Sequence, residues 1–347
     1  MNKSELDDKQ IDLLKQFWKD LLSRISDNLS NLFDNPLGDE LFFLFARDDP
    51  DVILVRWLKA RQWNVELALE SLFKTLQWRI QFNIKQLLKQ GENHLNQQEL
   101  LTNKTYHLGR DRQGFPLTYV HACQHIKGQF PYETTEKFVV LNMELSRYLV
   151  DEYEQQQATV VLDMSNISFQ NLDYQHIRFM IETMQNYYPE CLSKALIVNA
   201  PWGFHTVWNL IQLWLDKNVA KKVHFVSNAK DLSQFIHPDF IPKKLKGNHS
   251  DFEFIPANEQ HRTQIQLIHS NQSRFNDLLQ QYQRNAQIYL DFTLKWINSN
   301  DEQLVIERTK SSQLLSQSFL QLLPFVFSPT IYHRNRSIQL PIYDLIC

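Results

Sequence analysis

The chain has 347 residues, 43% hydrophobic and 22% charged, with 36 basic against 39 acidic side chains and a formal net charge of −3. That length admits two or three domains, or one domain with extensions, and the near-balanced charge supplies no global field to attract nucleic acid. Only 7 Gly argue against a glycine-rich nucleotide-cradling fold, and the three Cys at 123, 191 and 347 lack metal or disulfide spacing, which fits a reducing, cytosolic setting.

The opening MNKSELDDKQ is polar and acidic, which predicts neither a signal nor a transit peptide. Residues 10–33 place Ile11, Leu14, Trp18, Leu21, Ile25, Leu29 and Leu32 at spacings of three and four, predicting an amphipathic helix that NPLGDE at 35–40 breaks. Asp49 before Pro50, and then Asn64, read as the N-caps of two short helices. Leu69, Leu72, Phe73, Leu76 and Ile80 form the apolar face of the second, so residues 40–90 predict a small helical bundle. Near residue 105 the pattern changes. TYHLGRDRQGFPLTYVHA predicts two strands around a polar turn, and strands and helices alternate from there: a helix at 137–153, a strand at 158–165, a helix at 173–188, a strand at 195–200, a helix at 203–216 and a strand at 222–226. ATVVLDMS is apolar without interruption and β-branched, the mark of a strand covered on both sides. Such alternation implies a parallel or mixed sheet covered by helices. Beyond 258 a helical stripe returns through Phe275, Leu278, Leu279, Tyr282, Tyr289, Phe292 and Trp296, with 258–274 read as partly linker. LLSQSFLQLLPFVF at 314–327 reads as a buried or interfacial helix, and no run of about 18 apolar residues predicts a membrane span.

Catalytic signatures are missing. GRDRQG at 109–114 has the glycine spacing of a phosphate loop, but Phe115-Pro116 follows where Lys-Ser/Thr is needed, so it reads as a hairpin turn. His121 and His125 are four apart without a third zinc ligand, and Asp151, Glu152 and Glu154 read as a solvated helix end. The informative stretch is NAPWGFHTVWNLIQLWLDKNVAKK at 199–222, which carries Trp202, Trp208 and Trp214 and ends in charge.

That stretch, with FIPKKLKG after it and VRWLKARQWNVELALESLFKTLQWR, GRDRQGFPLTYV, TVVLDMSN and NYYPE before it in the same order, resembles the CRAL-TRIO lipid-binding family, most of all fungal phosphatidylinositol transfer proteins. The likeness covers roughly 45–256. It implies an α/β fold: a mixed or parallel sheet floor with covering helices and a gate helix over an apolar cavity for one lipid. The implied organisation is an N-terminal amphipathic helix and linker (1–40), a helical N-terminal module (41–95), the lipid-binding domain (96–257) and a mostly helical C-terminal extension of unread role (258–347).

The resemblance implies a non-catalytic carrier that exchanges phosphatidylinositol between membranes, cytoplasmic and peripherally attached, and able to present its lipid to a lipid kinase. Glu190, Lys222 and Arg61 match headgroup-binding positions. Phe204, Val207, Trp208, Ile211 and Leu215 make the stripe that would face lipid tails, with Ala158 and Val160 on the cavity wall. Trp202, Trp214, Lys217 and Lys221 are the expected membrane contacts, since Trp suits an apolar–polar boundary. Lys243, Lys244 and Lys246 add local basic charge. Gln62 and Val219 replace a basic and a hydroxyl residue of the family pattern, and Ala158 and Val160 replace the hydroxyls of phosphatidylcholine binders, which argues against that lipid. The alternative reading is a carrier or sensor for squalene, a sterol or haem, for which Tyr148, His176 and Cys191 are available. The oligomeric state is not readable.

Overall fold

The computed structural model describes residues 6–25, 29–149, 157–227, 229–299 and 301–338. Asp151, Glu152, Glu154 and Cys347 lie outside them. The chain divides into two compact units: Met1–Gln90 with Asn258–Pro329 and Leu340–Cys347, and Gly91–Ala257 with Thr330–Gln339.

The first unit opens with helices α1 (Asp8–Ile25), α2 (Pro36–Phe45), α3 (Pro50–Ala60), α4 (Val65–Phe82) and α5 (Ile84–Gln90). The amphipathic helix is shorter than its periodicity predicts, ending at Ile25, and Leu29–Asp34 form a 3-10 turn. NPLGDE does not simply break a helix. Asn35 accepts from the Leu37 N–H at 2.9 Å and Pro36 takes the first helical position, so the same residues start α2. Asp49 and Asn64 cap α3 and α4 as the sequence predicts. On α4 the expected stripe fails at Ile80, which is exposed, while Arg79 is buried and pairs with Glu40 at 2.7 Å.

The second unit follows in chain order with α6 (Gln97–Leu101), β1 (Thr105–Arg110), β2 (Pro116–His121), α7 (Tyr132–Leu149), β3 (Ala158–Asp163), α8 (Tyr174–Tyr187), β4 (Leu192–Val198), α9 (Phe204–Ile211), α10 (Lys217–Ala220), β5 (Val223–Val226) and α11 (Ala229–Leu232). One five-stranded sheet has the order β1-β2-β3-β4-β5, antiparallel between β1 and β2 and parallel thereafter. GRDRQG is the β1–β2 turn, where Asp111 accepts from the N–H groups of Gln113 and Phe115 at 2.9 and 3.0 Å. Gly109 sits there at φ +66°, and a Cβ would collide with the Phe240 ring.

Each parallel strand lies beside its successor, so right-handed crossovers carry α7, α8 and α9 to the same face of the sheet. The other face is solid: Leu117, Tyr119, Val161, Leu196 and Val198 pack with Tyr106, Ile236 and Ile241. β3 shows the asymmetry. Thr159, Val161 and Asp163 are buried, whereas Ala158, Val160 and Leu162 are only half-buried, although β3 is the middle strand. The uninterrupted apolar run predicts a strand buried on both sides, but space is left on one of them.

The chain then returns to the first unit with α12 (Glu259–Ser270), α13 (Gln272–Ile297) and α14 (Glu302–Val326). Residues 259–270 are therefore helix rather than linker, capped by Asn258. α13 packs along α14 and against α1. Arg308 of α14 is buried and donates to both oxygens of Asp51 at 2.5 and 2.6 Å and to the Tyr289 hydroxyl at 2.7 Å, while Trp18 Nε1 donates to Asp51 at 2.7 Å. Most of Leu314–Phe327 is buried, Pro324 included. Finally α15 (Ile331–Arg334) joins the second unit, with Arg334 paired to Glu92 at 2.6 Å and the His107 N–H donating to the Tyr332 hydroxyl at 3.1 Å. The described residues of 258–338 are thus not a separate extension, because they belong to both units.

Candidate functional site

The open face of the sheet floors a cavity of about 250 Å³. Val160, Leu162 and Ile197 form its floor, Ile177, Met180, Ile181 and Met184 of α8 one wall, and α9 its cover. A second compartment of about 220 Å³ adjoins it along α7, between Asn142, Ser146 and Ala158, and shares Val160, Met180 and Leu192. Together they fall in the range of roughly 300–1,000 Å³ typical of small-molecule sites. The apolar residues of α8 are only half-buried because they face this volume, and methionines there can repack around different guests.

All five residues of the predicted stripe, Phe204, Val207, Trp208, Ile211 and Leu215, line the cavity. The helix is shorter than predicted. α9 ends at Ile211, a 3-10 turn runs over Gln212–Trp214, and Leu215 is extended. Gly203 gives α9 no side-chain cap, and an eight-residue helix is marginal on its own, so the cover is held by its apolar face.

The three tryptophans have different fates. Trp202 is 95% exposed. Trp208 packs edge-on to Phe225 at 5.3 Å beneath the cover. Trp214, expected at a membrane, is instead half-buried edge-on to Tyr174 at 6.2 Å, because the turn after Ile211 swings its ring back onto the cavity cluster. The exposed apolar groups on this side are Trp202, Leu210, Leu213 at 76% and Phe169 at 94%, with Lys217 and Lys221 also exposed. Leu245, between the other lysines, is anchored in the solid face, and Lys244 lies over the Tyr106 ring.

Glu190 and Lys222 come together. Lys222 Nζ is 3.4 Å from Glu190 Oε2 and donates to the Leu192 carbonyl at 2.8 Å. Their side chains are 31% and 25% exposed, at a rim flanked by the lining residues Cys191, Leu192 and Val223. Glu190 is held at φ 56°, in the left-handed region that a non-glycine residue seldom takes without a local reason. Arg61 lies in the first unit at the C-terminus of α3, where it donates to Ser71 Oγ at 3.1 Å. Ala158 and Val160 both line the second compartment, and Val219 lines the first.

Polar groups that the sequence reading did not assemble also reach the cavity. Asn142, Ser146, Thr105 and Thr118 line the second compartment. Tyr188, also there, donates to Glu144 at 2.7 Å. Asn142 and Ser146 stand four apart on α7, a spacing that could have signalled them. His121 and His125 serve different carboxylates, Asp163 at 3.0 Å and Asp173 at 3.2 Å. Burial alone would raise Asp163, but hydrogen bonds from His121, Ser165 and Asn199 hold it down at about 2. Of the residues available to haem, His176 lines the first compartment and Cys191 the second, while Tyr148 lines neither. No group of three or more His, Cys, Asp or Glu suited to a metal ion occurs among the described residues. No helix among them is long and apolar enough to cross a membrane.

The CRAL/TRIO domain family model matches residues 100–247, and the CRAL/TRIO N-terminal domain model matches residues 13–73. The Sec14 cytosolic factor of Schizosaccharomyces pombe is 31% identical over 223 residues, covering 57% of this chain and 74% of that protein. The chain belongs to the CRAL-TRIO family. The CRAL-TRIO domain-containing protein C3H8.02 of S. pombe is 33% identical over 295 residues, covering 83% of the chain, which spans 65% of that relative's length. The phosphatidylinositol transfer protein CSR1 of Eremothecium gossypii is 27% identical over 332 residues, covering 92% of the chain and 75% of that protein. The crystal structure of Sfh5 shares the fold with a TM-score of 0.51 at 20% identity, covering 66% of this chain and 83% of that one. The CRAL-TRIO fold therefore accounts for the mixed sheet and its covering helices.

Proposed function

We propose that this CRAL-TRIO protein takes one phosphatidylinositol into the cavity and exchanges it at membranes, without making or breaking a covalent bond. The observation that carries the reading is the half-buried face of β3: Val160 and Leu162 border empty volume under α9, and Ala158 with Val160 borders the adjoining compartment along α7, instead of packing against a filled core. Acyl chains suit that volume, since each buried CH₂ contributes about 0.8 kcal/mol. The Glu190–Lys222 pair at the rim suits the headgroup, with the ammonium for the phosphodiester and the carboxylate for inositol hydroxyls. The similarity to CSR1, a phosphatidylinositol transfer protein, and to the Sec14 cytosolic factor supports the same reading.

Release requires α9 to move. Its exposed neighbours Trp202 and Leu213 enter the bilayer interface while Lys217 and Lys221 meet anionic headgroups, each worth about 1 kcal/mol near such a surface. A contact of that size is reversible, as a shuttle needs, and it leaves the lipid within reach of a membrane-bound lipid kinase. The test is transfer of fluorescent phosphatidylinositol from donor to acceptor vesicles by the full chain. Transfer that rises with protein supports the proposal, and transfer no faster than without protein ends it.

A further inference from the structure

One side chain of α8 grips the C-terminal end of the cover. α9 stops at Ile211, and after the 3-10 turn Leu215 is extended, so the Trp214 carbonyl and the Asp216 N–H flank a break between α9 and α10. Gln185 of α8 takes both groups. Its Nε2 donates to the Trp214 carbonyl at 3.0 Å, and its Oε1 accepts from the Asp216 N–H at 2.6 Å. A carbonyl and an N–H on either side of one extended residue present the pattern of a strand edge, which a primary carboxamide matches with its own donor and acceptor. Gln185 is half-buried and lines neither compartment, whereas Leu215, between the two gripped groups, lines the first. The Trp214 ring adds its edge-on contact with Tyr174 at the start of α8.

The other end of the cover is held to the floor instead. Asn199, just past β4, sits in the left-handed region at φ 58°, and its Nδ2 donates to Asp163 Oδ1 at 3.2 Å and to Ser165 Oγ at 2.9 Å. The Asp163 carboxylate is buried on β3 and also held by His121 at 3.0 Å, so this anchor belongs to the sheet and stays when the cover moves. Between Asn199 and α9, Pro201, Trp202 and Gly203 are exposed, and a Cβ on Gly203 would meet nothing within 4 Å. The 199–203 segment therefore has the room of a pivot, while the 214–216 turn must part from α8 if α9 lifts. Asp216 is exposed, so water replaces the carboxamide when the grip opens, and the net cost of opening stays small. The grip is uncharged, so salt that screens Lys217 and Lys221 leaves it intact.

We propose that Gln185 is the latch of the cover, a positioning residue that touches no lipid and sets how often the 214–216 end of α9 swings away from α8 about the 199–203 pivot. The inference deepens the function proposed above, because it rests on α9 covering a guest, but its first readout needs no lipid. It gives the cover a direction of movement and assigns control of exchange to a side chain outside the cavity.

The experiment compares amide hydrogen exchange in the full chain and in Gln185→Met, which keeps the bulk and removes the carboxamide. Exchange over 204–216 should rise about tenfold, equivalent to about 1.4 kcal/mol, while exchange over β3 does not change. Equal exchange over 204–216, or a rise spread evenly into β3 as a general loss of stability would give, overturns the latch. The unmodified chain covers the case of a variant that does not fold. Its Asp216 amide, the group that Gln185 holds, should exchange as slowly as the last amides of α9, and exchange at the rate of a free amide while α9 stays protected would overturn the latch. Fluorescent phosphatidylinositol loaded into both forms then separates the latch from the lipid reading. Release to acceptor vesicles about tenfold faster from Gln185→Met supports both, and equal release from a loosened cover overturns the latch. A loosened cover on a chain that takes up no phosphatidylinositol supports the latch and ends the lipid reading.

Discussion

Lys222 Nζ stands 3.4 Å from Glu190 Oε2 and also donates to the backbone carbonyl of Leu192, so one ammonium ties together the starts of β4 and β5 at the cavity rim. Neither side chain is buried deeply enough for the pair to hold the fold, since exposed ion pairs contribute about 0–1 kcal/mol. Lys222→Ala with Glu190→Ala should therefore cut phosphatidylinositol transfer at least about tenfold, a loss of about 1.4 kcal/mol or more, with little change in melting temperature. Equal transfer rates for variant and parent in the vesicle assay would remove the headgroup assignment.

The docking surface is separable from the cavity. Trp202→Ala with Leu213→Ser removes two of the exposed apolar side chains around α9, and Lys217→Glu with Lys221→Glu reverses the local charge. Both pairs should weaken co-sedimentation with anionic vesicles. The charge-reversal loss should shrink in high salt, where the Debye length is about 3 Å at 1 M, and the apolar loss should persist. Unchanged sedimentation of both variants would place the docking surface elsewhere.

What the sequence made legible was local. Asp49 and Asn64 announce α3 and α4 because a cap is read within three residues, and the 204–215 stripe is legible because helical spacing puts its members on one side. The fate of Trp214 was not legible, because it depends on the helix ending at Ile211, and periodicity does not encode that break. Nor could the half-empty face of β3 be read from ATVVLD, since an apolar strand looks the same whether a side chain or a void covers it. The grip of Gln185 on Trp214 and Asp216 exists only once α8 is folded beside that turn. The home of the last ninety residues was hidden for a similar reason, as Arg308 finds Asp51 across 257 positions.

That long-range contact yields its own prediction. Arg308→Met removes the guanidinium that binds both oxygens of the buried Asp51 carboxylate, and breaking such a pair from one side costs about 3–5 kcal/mol. Urea unfolding should show a lower midpoint for the transition of the first unit. A midpoint equal to the parent's would mean that the C-terminal helices are not integral to it.

Acid should loosen the second unit before it protonates the carboxylates. Burial lowers His107 to about 4 and His176 and His333 to about 3. Their unfolded value is near 6.5, so between the two the unfolded chain binds more protons than the folded one. The stabilisation is complete above about pH 6.5 and is lost as pH falls toward 3–4, with a slope of about 1.4 kcal/mol per pH unit for each histidine. Thermal unfolding followed from pH 7.5 to 4.5 should show the melting temperature falling steadily below 6.5. A flat profile across that window would contradict the burial of these rings.

The central claim is a guest-sized void between the sheet and α9, and native mass spectrometry of the full chain after incubation with phosphatidylinositol vesicles tests it most directly. One phospholipid mass per chain is the predicted result, and it should vanish in Ala195→Phe, which fills the floor of the cavity. A chain that carries no lipid, or an Ala195→Phe variant that stays folded and loads as fully as the parent, would contradict it.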